Sequence, residues 1–205
     1  MVANVNFHSK YTRIVSFEEI YRLYQGLVYN LALQYIQNTE DAEEIMQDVF
    51  VAVYQSLHTF RNEAKPSTWI YRITINKSLD YIKAKKRKKR FGMFVSLFAE
   101  NSNEPSVEPH SFHHPGVELE QQEAVERIFA VINRLPENQR TALILSKLEQ
   151  MKQTEIAEIM NISAKAVESL IQRAKATIAK QLQHNSEGFQ EIYRPIVTNA
   201  EHSTK

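Results

Sequence analysis

Between Gln153 and Arg173 the chain reads QTEIAEIMNISAKAVESLIQR, and the polar residues of its second half are of the types that read base edges in a DNA groove. Lys and Arg suit guanine, Gln suits adenine, and Glu accepts from the cytosine amino group. Lys165, Glu168, Ser169, Gln172 and Arg173 recur at helical spacing, so a helix turns Val167, Leu170, Ile171 and Ala174 inward and presents this polar set outward. A second chemistry lies upstream, where seven of the eight residues from Lys83 to Arg90 are basic and suit phosphate contacts. A third is the cluster His110, His113 and His114, whose spacing suits a metal only in a helix; Pro109 and Pro115 bracket it and favour a solvated linker.

The first of these sets needs a helix-turn-helix to hold it. Ala157 is small enough for two helices to cross closely, and Asn161 falls at a turn position that calls for left-handed backbone. Ile156, Met160, Ile162, Val167 and Leu170 form the expected apolar wedge, and Ser163 caps the second helix. The same pattern also fits an ordinary αα-hairpin with a solvated polar face.

Upstream periodicity predicts more helices. Ser16 with Glu19 makes a capping-box pattern, followed by Ile20, Leu23, Tyr24, Leu27, Val28, Leu31 and Tyr35 on one face. A second helix follows Asn38, with Ala42, Ile45, Met46, Val49, Phe50, Val53 and Leu57 inside and Glu40, Asp41, Glu43, Glu44 and Asp48 outside. Pro66 marks a boundary, and a third helix from Ser67 or Thr68 carries Trp69, Ile70, Ile73, Leu79 and Ile82 into the basic block. Periodicity fails between Ser96 and Gly116. It returns near Glu118 with Leu119, Val125, Ile128, Phe129 and Ile132, and Pro136 opens a helix containing Ala142, Leu143, Leu145 and Leu148. Strand signals are absent, so the expected class is all-α. Two small helical domains, 1–95 and 118–184, are joined by a flexible acidic linker, 96–117, and followed by a flexible tail, 185–205.

Charge follows this division. Lys and Arg against Asp and Glu number 14 to 9 over residues 1–95, 2 to 7 over 96–134 and 9 to 8 over 135–205, although the net charge is only +1. A basic front and an acidic middle fit a nucleic-acid-binding domain followed by an anionic linker. Four glycines leave no room for GxxxxGK[ST] or GxGxxG, and zero cysteines remove disulfides, thiolate metal sites and cysteine nucleophiles. No apolar run is long enough to span a bilayer, so a cytoplasmic chain without direct membrane insertion is expected. No catalytic residue, metal or cofactor is expected.

Several blocks together resemble the extracytoplasmic-function type RNA polymerase sigma factors of the sigma-70 family. DAEEIMQDVF (Asp41 to Phe50) and STWIYRITINKSLDYIKAKKR (Ser67 to Arg87) are similar to the family's region two, and LPENQR (Leu135 to Arg140) with the helix-turn-helix to region four. The resemblance implies a non-enzymatic protein that binds core RNA polymerase and directs promoter-specific transcription initiation. It implies polymerase contacts at Asp41, Glu44, Gln47 and Asp48. For the melted minus-ten element it implies Arg61, Asn62, Lys65, Ser67, Thr68, Trp69, Tyr71, Arg72, Asn76, Lys83, Lys86 and Arg87, with Trp69 equally suited to burial. For the minus-thirty-five element it implies Lys165, Glu168, Ser169, Gln172 and Arg173, although Ala166, Glu168 and Leu170 depart from the commonest pattern. Small members are often held inactive by an anti-sigma factor.

The rival is a helix-turn-helix transcriptional regulator acting without being a polymerase subunit, with the first domain serving as a dimerisation or sensing module. That reading asks for an apolar outer stripe, and the second helix is expected to show acids there instead.

Overall fold

The computed structural model describes residues 16–60, 65–98 and 119–183, which form α-helices with one short 3₁₀ turn and, among these residues, no strand. The expected linker lies almost wholly outside the described residues, with its histidine cluster, and so does the tail. In chain order the elements are α1 (Phe17–Ile36), α2 (Thr39–Ser56), the 3₁₀ turn Leu57–Thr59, α3 (Pro66–Phe98), α4 (Leu119–Ile132), α5 (Glu137–Lys147), α6 (Gln153–Met160) and α7 (Ala164–Gln183).

The caps are those the sequence announces. The Ser16 hydroxyl accepts from the Glu19 N–H at 3.2 Å, Asn38 Oδ1 from the Asp41 N–H at 2.8 Å, and the Ser163 hydroxyl from the Ala166 N–H at 3.2 Å. Each satisfies one of the backbone donors left free in a first helical turn. Left-handed backbone falls on Gln37, Gln150 and Asn161, with φ of 55°, 54° and 54°. Gln37 and Asn161 each end a helix, and their N–H groups return to carbonyls of the last turn.

Three apolar clusters hold the helices. The first joins α1, α2 and α3 through Ile20, Val28, Ala32, Ile45, Val49, Val53 and Ile70. The second joins α4, α5 and α7 through Val131, Ile132, Leu135, Leu143, Ala174 and Ile178. The third spans the two halves of the chain: Leu31 and Tyr35 of α1 and Tyr71 and Ile75 of α3 share it with Ile144, Leu145, Ile156, Ile159, Val167 and Ile171. Helix α3 therefore packs on both sides. Trp69, Ile70 and Ile73 face α1 and α2, whereas Tyr71, Ile75, Leu79 and Ile82 line the shared cluster, so the apolar residues of α3 form two stripes.

Three expected core residues are on the surface instead. Leu23 lies on the outer side of α1, Leu148 sits where α5 ends, and Ile162 lies in the tight turn after Asn161; all three are exposed. In each case the apolar pattern extends one position beyond the buried stripe, or past the end of the helix. Asn161 offers a direct test of the turn. Asn161→Val should lower unfolding stability by about 1–2 kcal/mol, because a branched side chain is disfavoured at positive φ, while Asn161→Gly should be nearly neutral. Denaturant midpoints of the two variants check this.

Candidate nucleic-acid and partner interfaces

Helix α7 presents Lys165, Glu168, Gln172 and Arg173 to solvent, with Ser169 half-buried beside them. Its opposite side is anchored by Val167, Ile171, Ala174 and Ile178, all buried. The preceding helix α6 is short and is set by Glu155, whose carboxylate accepts from the Lys152 N–H at 3.1 Å. A rigid two-helix unit thus carries an open polar face with the chemistry for a major groove.

The α3 residues expected at a melted strand divide into two groups. Lys65, Asn76, Lys86 and Arg87 are exposed, Ser67 is half-buried, and Arg61 and Asn62 lie outside the described residues. Trp69 is half-buried and stacks on Phe60, with ring centroids 4.6 Å apart and planes at 26°. Thr68 and Tyr71 are buried. The Tyr71 hydroxyl donates to Glu149 Oε2 at 2.7 Å; burial first, then this carboxylate, pushes its pKa up. Arg72 donates from Nε to the Ile159 carbonyl at 3.0 Å and from Nη2 to the Glu158 carbonyl at 2.6 Å. Both Tyr71 and Arg72 therefore face the second half of the chain.

The basic block is likewise not uniform. Lys83 pairs with Glu137 at 3.1 Å, and Lys85 donates to Asp41 Oδ2 at 2.6 Å while its ammonium stands 5.8 Å from the Tyr81 ring centroid. Lys86, Arg87, Lys88, Lys89 and Arg90 are exposed. Asp80, Lys83, Lys86, Arg87 and Arg90 line a shallow groove, and the cations along it suit a phosphate backbone.

On α2, Glu40, Glu43, Glu44, Gln47 and Asp48 are exposed and Asp41 is not. Its side chain is 19% exposed and bonded to Lys85, and it also accepts from the Tyr81 hydroxyl, whose pKa is raised by burial first and then by this carboxylate. Asp41 was expected on the outer face; it ties α2 to α3 instead. Asp48 stands 4.0 Å from Lys77, with both side chains well exposed, a pairing that contributes little.

Sequence reasoning missed the neighbouring apolar surface. Phe17, Tyr21, Met46, Phe50, Val51 and Tyr54 line an open groove next to Gln47, with Val51 55% and Tyr54 64% exposed. Phe17 meets Phe50 and Tyr54 edge-on at 6.3 and 5.4 Å between centroids. The signal was available: from Met46 to Tyr54 the apolar residues Met46, Val49, Phe50, Val51, Val53 and Tyr54 are too many for one buried stripe. The outer side of α2 thus carries acids and apolar groups side by side, and the expectation of acids alone is corrected.

Among the described residues, no group of three or more His, Asp or Glu is placed to hold a metal, and no helix is long and apolar enough to cross a membrane.

The architecture is thus a three-helix front domain with a basic third helix and a rear domain bearing a helix-turn-helix. Residues 20–88 match the model of sigma-70 region 2, and residues 126–178 that of sigma-70 region 4. The chain is 32% identical over 162 residues to an ECF RNA polymerase sigma-E factor of Haemophilus influenzae, covering 78% of this chain and 84% of the relative. It is 28% identical over 177 residues to the ECF RNA polymerase sigma factor SigW of Bacillus subtilis, covering 82% and 89%. Two solved structures share the fold, each at a TM-score of 0.56. They are CnrH in complex with the cytosolic domain of CnrY, at 22% identity with 83% and 89% covered, and the sigma factor RpoE of Bartonella quintana in complex with the anti-sigma factor NepR, at 19% identity with 83% and 98% covered. The chain belongs to the ECF RNA polymerase sigma factors. It is a polymerase-associated factor that directs promoter-specific initiation, and its partners are core RNA polymerase and promoter DNA.

The different surroundings of two acids on α2 separate structure from recognition. Asp41→Asn should cost about 1 kcal/mol of stability through the weakened Lys85 and Tyr81 contacts, whereas Glu44→Gln should leave it unchanged within about 0.5 kcal/mol. Thermal or denaturant unfolding of both variants, with Lys85→Ala to close a double-mutant cycle, checks the difference.

Proposed function

We propose that the solvent face of α2 is the polymerase-docking surface, with Glu44, Gln47 and Asp48 supplying charge and hydrogen bonds and Val51 and Tyr54 supplying apolar contact. Asp41 serves it by fixing α2 against α3. The observation that carries this reading is the combination on one helix of exposed acids and exposed aromatic and aliphatic groups. Aromatic anchors flanked by charge are the usual composition of a protein interface. A basic partner surface is attracted by the acids and held by the apolar groove.

The promoter contacts follow from the other two surfaces. Lys165, Glu168, Ser169, Gln172 and Arg173 read the minus-thirty-five element as duplex. Lys65, Ser67, Trp69, Asn76, Lys83, Lys86 and Arg87, with Arg61, Asn62, Thr68, Tyr71 and Arg72, form the strip for the melted minus-ten strand, where cations hold the phosphates and aromatic faces receive bases. The domains of this reading are residues 1–95 and 118–184, with 96–117 as linker and 185–205 as tail. The protein acts in the cytoplasm without covalent chemistry, and an anti-sigma factor, as in the solved complex of RpoE with NepR, is its inhibitory partner.

Run-off transcription with core polymerase on a genomic promoter library tests the assignment. Glu44→Lys combined with Asp48→Lys should reduce both polymerase association and transcript yield by about tenfold or more. Arg173→Ala should leave association intact and weaken promoter recognition by about 1–3 kcal/mol at one base position. Unchanged association after the double charge reversal would remove α2 from the docking surface.

A further inference from the structure

Helix α3 outruns the helices that support it, and the part left over has a composition of its own. Asp48 of α2 lies beside Lys77 and Asp41 beside Lys85, so the two helices run antiparallel and the start of α2 at Thr39 falls level with Arg87. Glu137, at the start of α5, reaches only to Lys83. Residues 88–98 therefore extend past these supports by about 16 Å. Two blocks make up this end. Lys86, Arg87, Lys88, Lys89 and Arg90 are consecutive cations, all exposed, and among the described residues none of them pairs with an acid. From Lys83 to Phe98 the chain holds no Asp or Glu at all. The second block, FGMFVSLF, is apolar at Phe91, Met93, Phe94, Val95, Leu97 and Phe98, and Phe91, Phe94, Val95 and Phe98 recur at the spacing of one helical stripe. Phe91, the first of them, is 70% exposed.

A run of cations alone suits any phosphate, and the minus-ten strip already claims Lys86 and Arg87. The apolar block is what that role leaves unexplained. Bases stack on phenyl rings, but the aliphatic bulk of Met93, Val95 and Leu97 adds nothing to stacking, and a sugar-phosphate backbone gives it no cover. An anionic bilayer surface takes both blocks at once: its headgroups receive the cations, whose stems lie along the boundary, and the edge of its hydrocarbon receives the apolar residues. We propose that the projecting end of α3, Lys86 to Phe98, docks on an anionic lipid bilayer and lies in its headgroup boundary. The apolar block covers about 12 Å of helix against the ~30 Å of a hydrocarbon core, so this end rests at the surface and does not cross. A second copy of the chain is the poorer occupant, because its cations would face the same charges again. Lys86 and Arg87 cannot hold headgroups and a melted strand together, so bilayer and promoter compete for this helix. The inference goes beyond the assignment of the minus-ten strip and shares only these two residues with it.

Flotation of the full-length protein with vesicles, in the absence of DNA and polymerase, is the test. The protein should float with vesicles of phosphatidylcholine and phosphatidylglycerol in equal parts and not with phosphatidylcholine alone, and added salt should weaken the association. Phe91→Ser combined with Phe94→Ser should lower the affinity for the mixed vesicles by about tenfold or more, with cooperative unfolding retained. Lys88→Gln combined with Lys89→Gln should lower it by about fivefold per charge. Phe91→Trp, at an exposed position, gives a second readout that does not depend on removing anything: its emission, taken as the difference from wild type with Trp69, should move to the blue on mixed vesicles. No flotation with the mixed vesicles, equal flotation with phosphatidylcholine alone, or full flotation of the Phe91 and Phe94 double variant would overturn the proposal. Self-association that this variant abolishes, without vesicle binding, would overturn it in favour of a second copy. Loss of transcription on changing Lys86 or Arg87 bears on the minus-ten strip alone, so the two assignments fail separately.

Discussion

One helix has to satisfy two hydrophobic cores. Within a few residues of α3, Ile70 is buried against α1 and α2 while Tyr71 and Ile75 are buried against the elements that carry the helix-turn-helix. A helix turns 100° per residue, so adjacent apolar positions necessarily face different ways, and a segment reading WIYRITI can serve two sides only if both are covered. That requirement places the rear domain. Once Tyr71 and Ile75 need cover, the seam, the pairing of Glu149 and the position of Arg72 follow from it.

The charges of α3 complement this packing. Lys77 and Lys85 reach back to acids of α2 and Lys83 reaches across to Glu137, while the run from Lys86 to Arg90 points to solvent. The same basic helix thus pins its acidic neighbour and leaves a cationic end free. A net charge of +1 conceals this, because opposite charges are sorted by helix rather than mixed over the surface. Near neutrality overall limits nonspecific attraction, and sorting still provides steep local fields.

Local rules were legible in the residues. Ser16, Asn38 and Ser163 cap where their types say they should, and Asn161 takes the left-handed turn that separates α6 from α7. The outward set on α7 followed from the position of Val167, Ile171 and Ala174 one helical face away. Contacts between distant segments were not legible. Nothing in the neighbourhood of Asp41 distinguishes it from Glu44 until Lys85 arrives from 44 residues away. Likewise nothing beside Tyr71 in the chain announces Glu149, 78 residues on, which accepts its hydroxyl. Periodicity reports which residues seek cover, and only the tertiary fold reports what supplies it.

The uninterrupted length of α3 has a mechanical consequence. Its 33 residues extend about 50 Å, and the basic run lies about 20 Å beyond the apolar anchor at Ile75. A tilt of about 10° at that anchor would carry Lys89 through about 4 Å, comparable with the axial rise per base in a duplex. Small adjustments in how the helix beds into its two supports are thereby magnified into displacements of several ångströms at its tip.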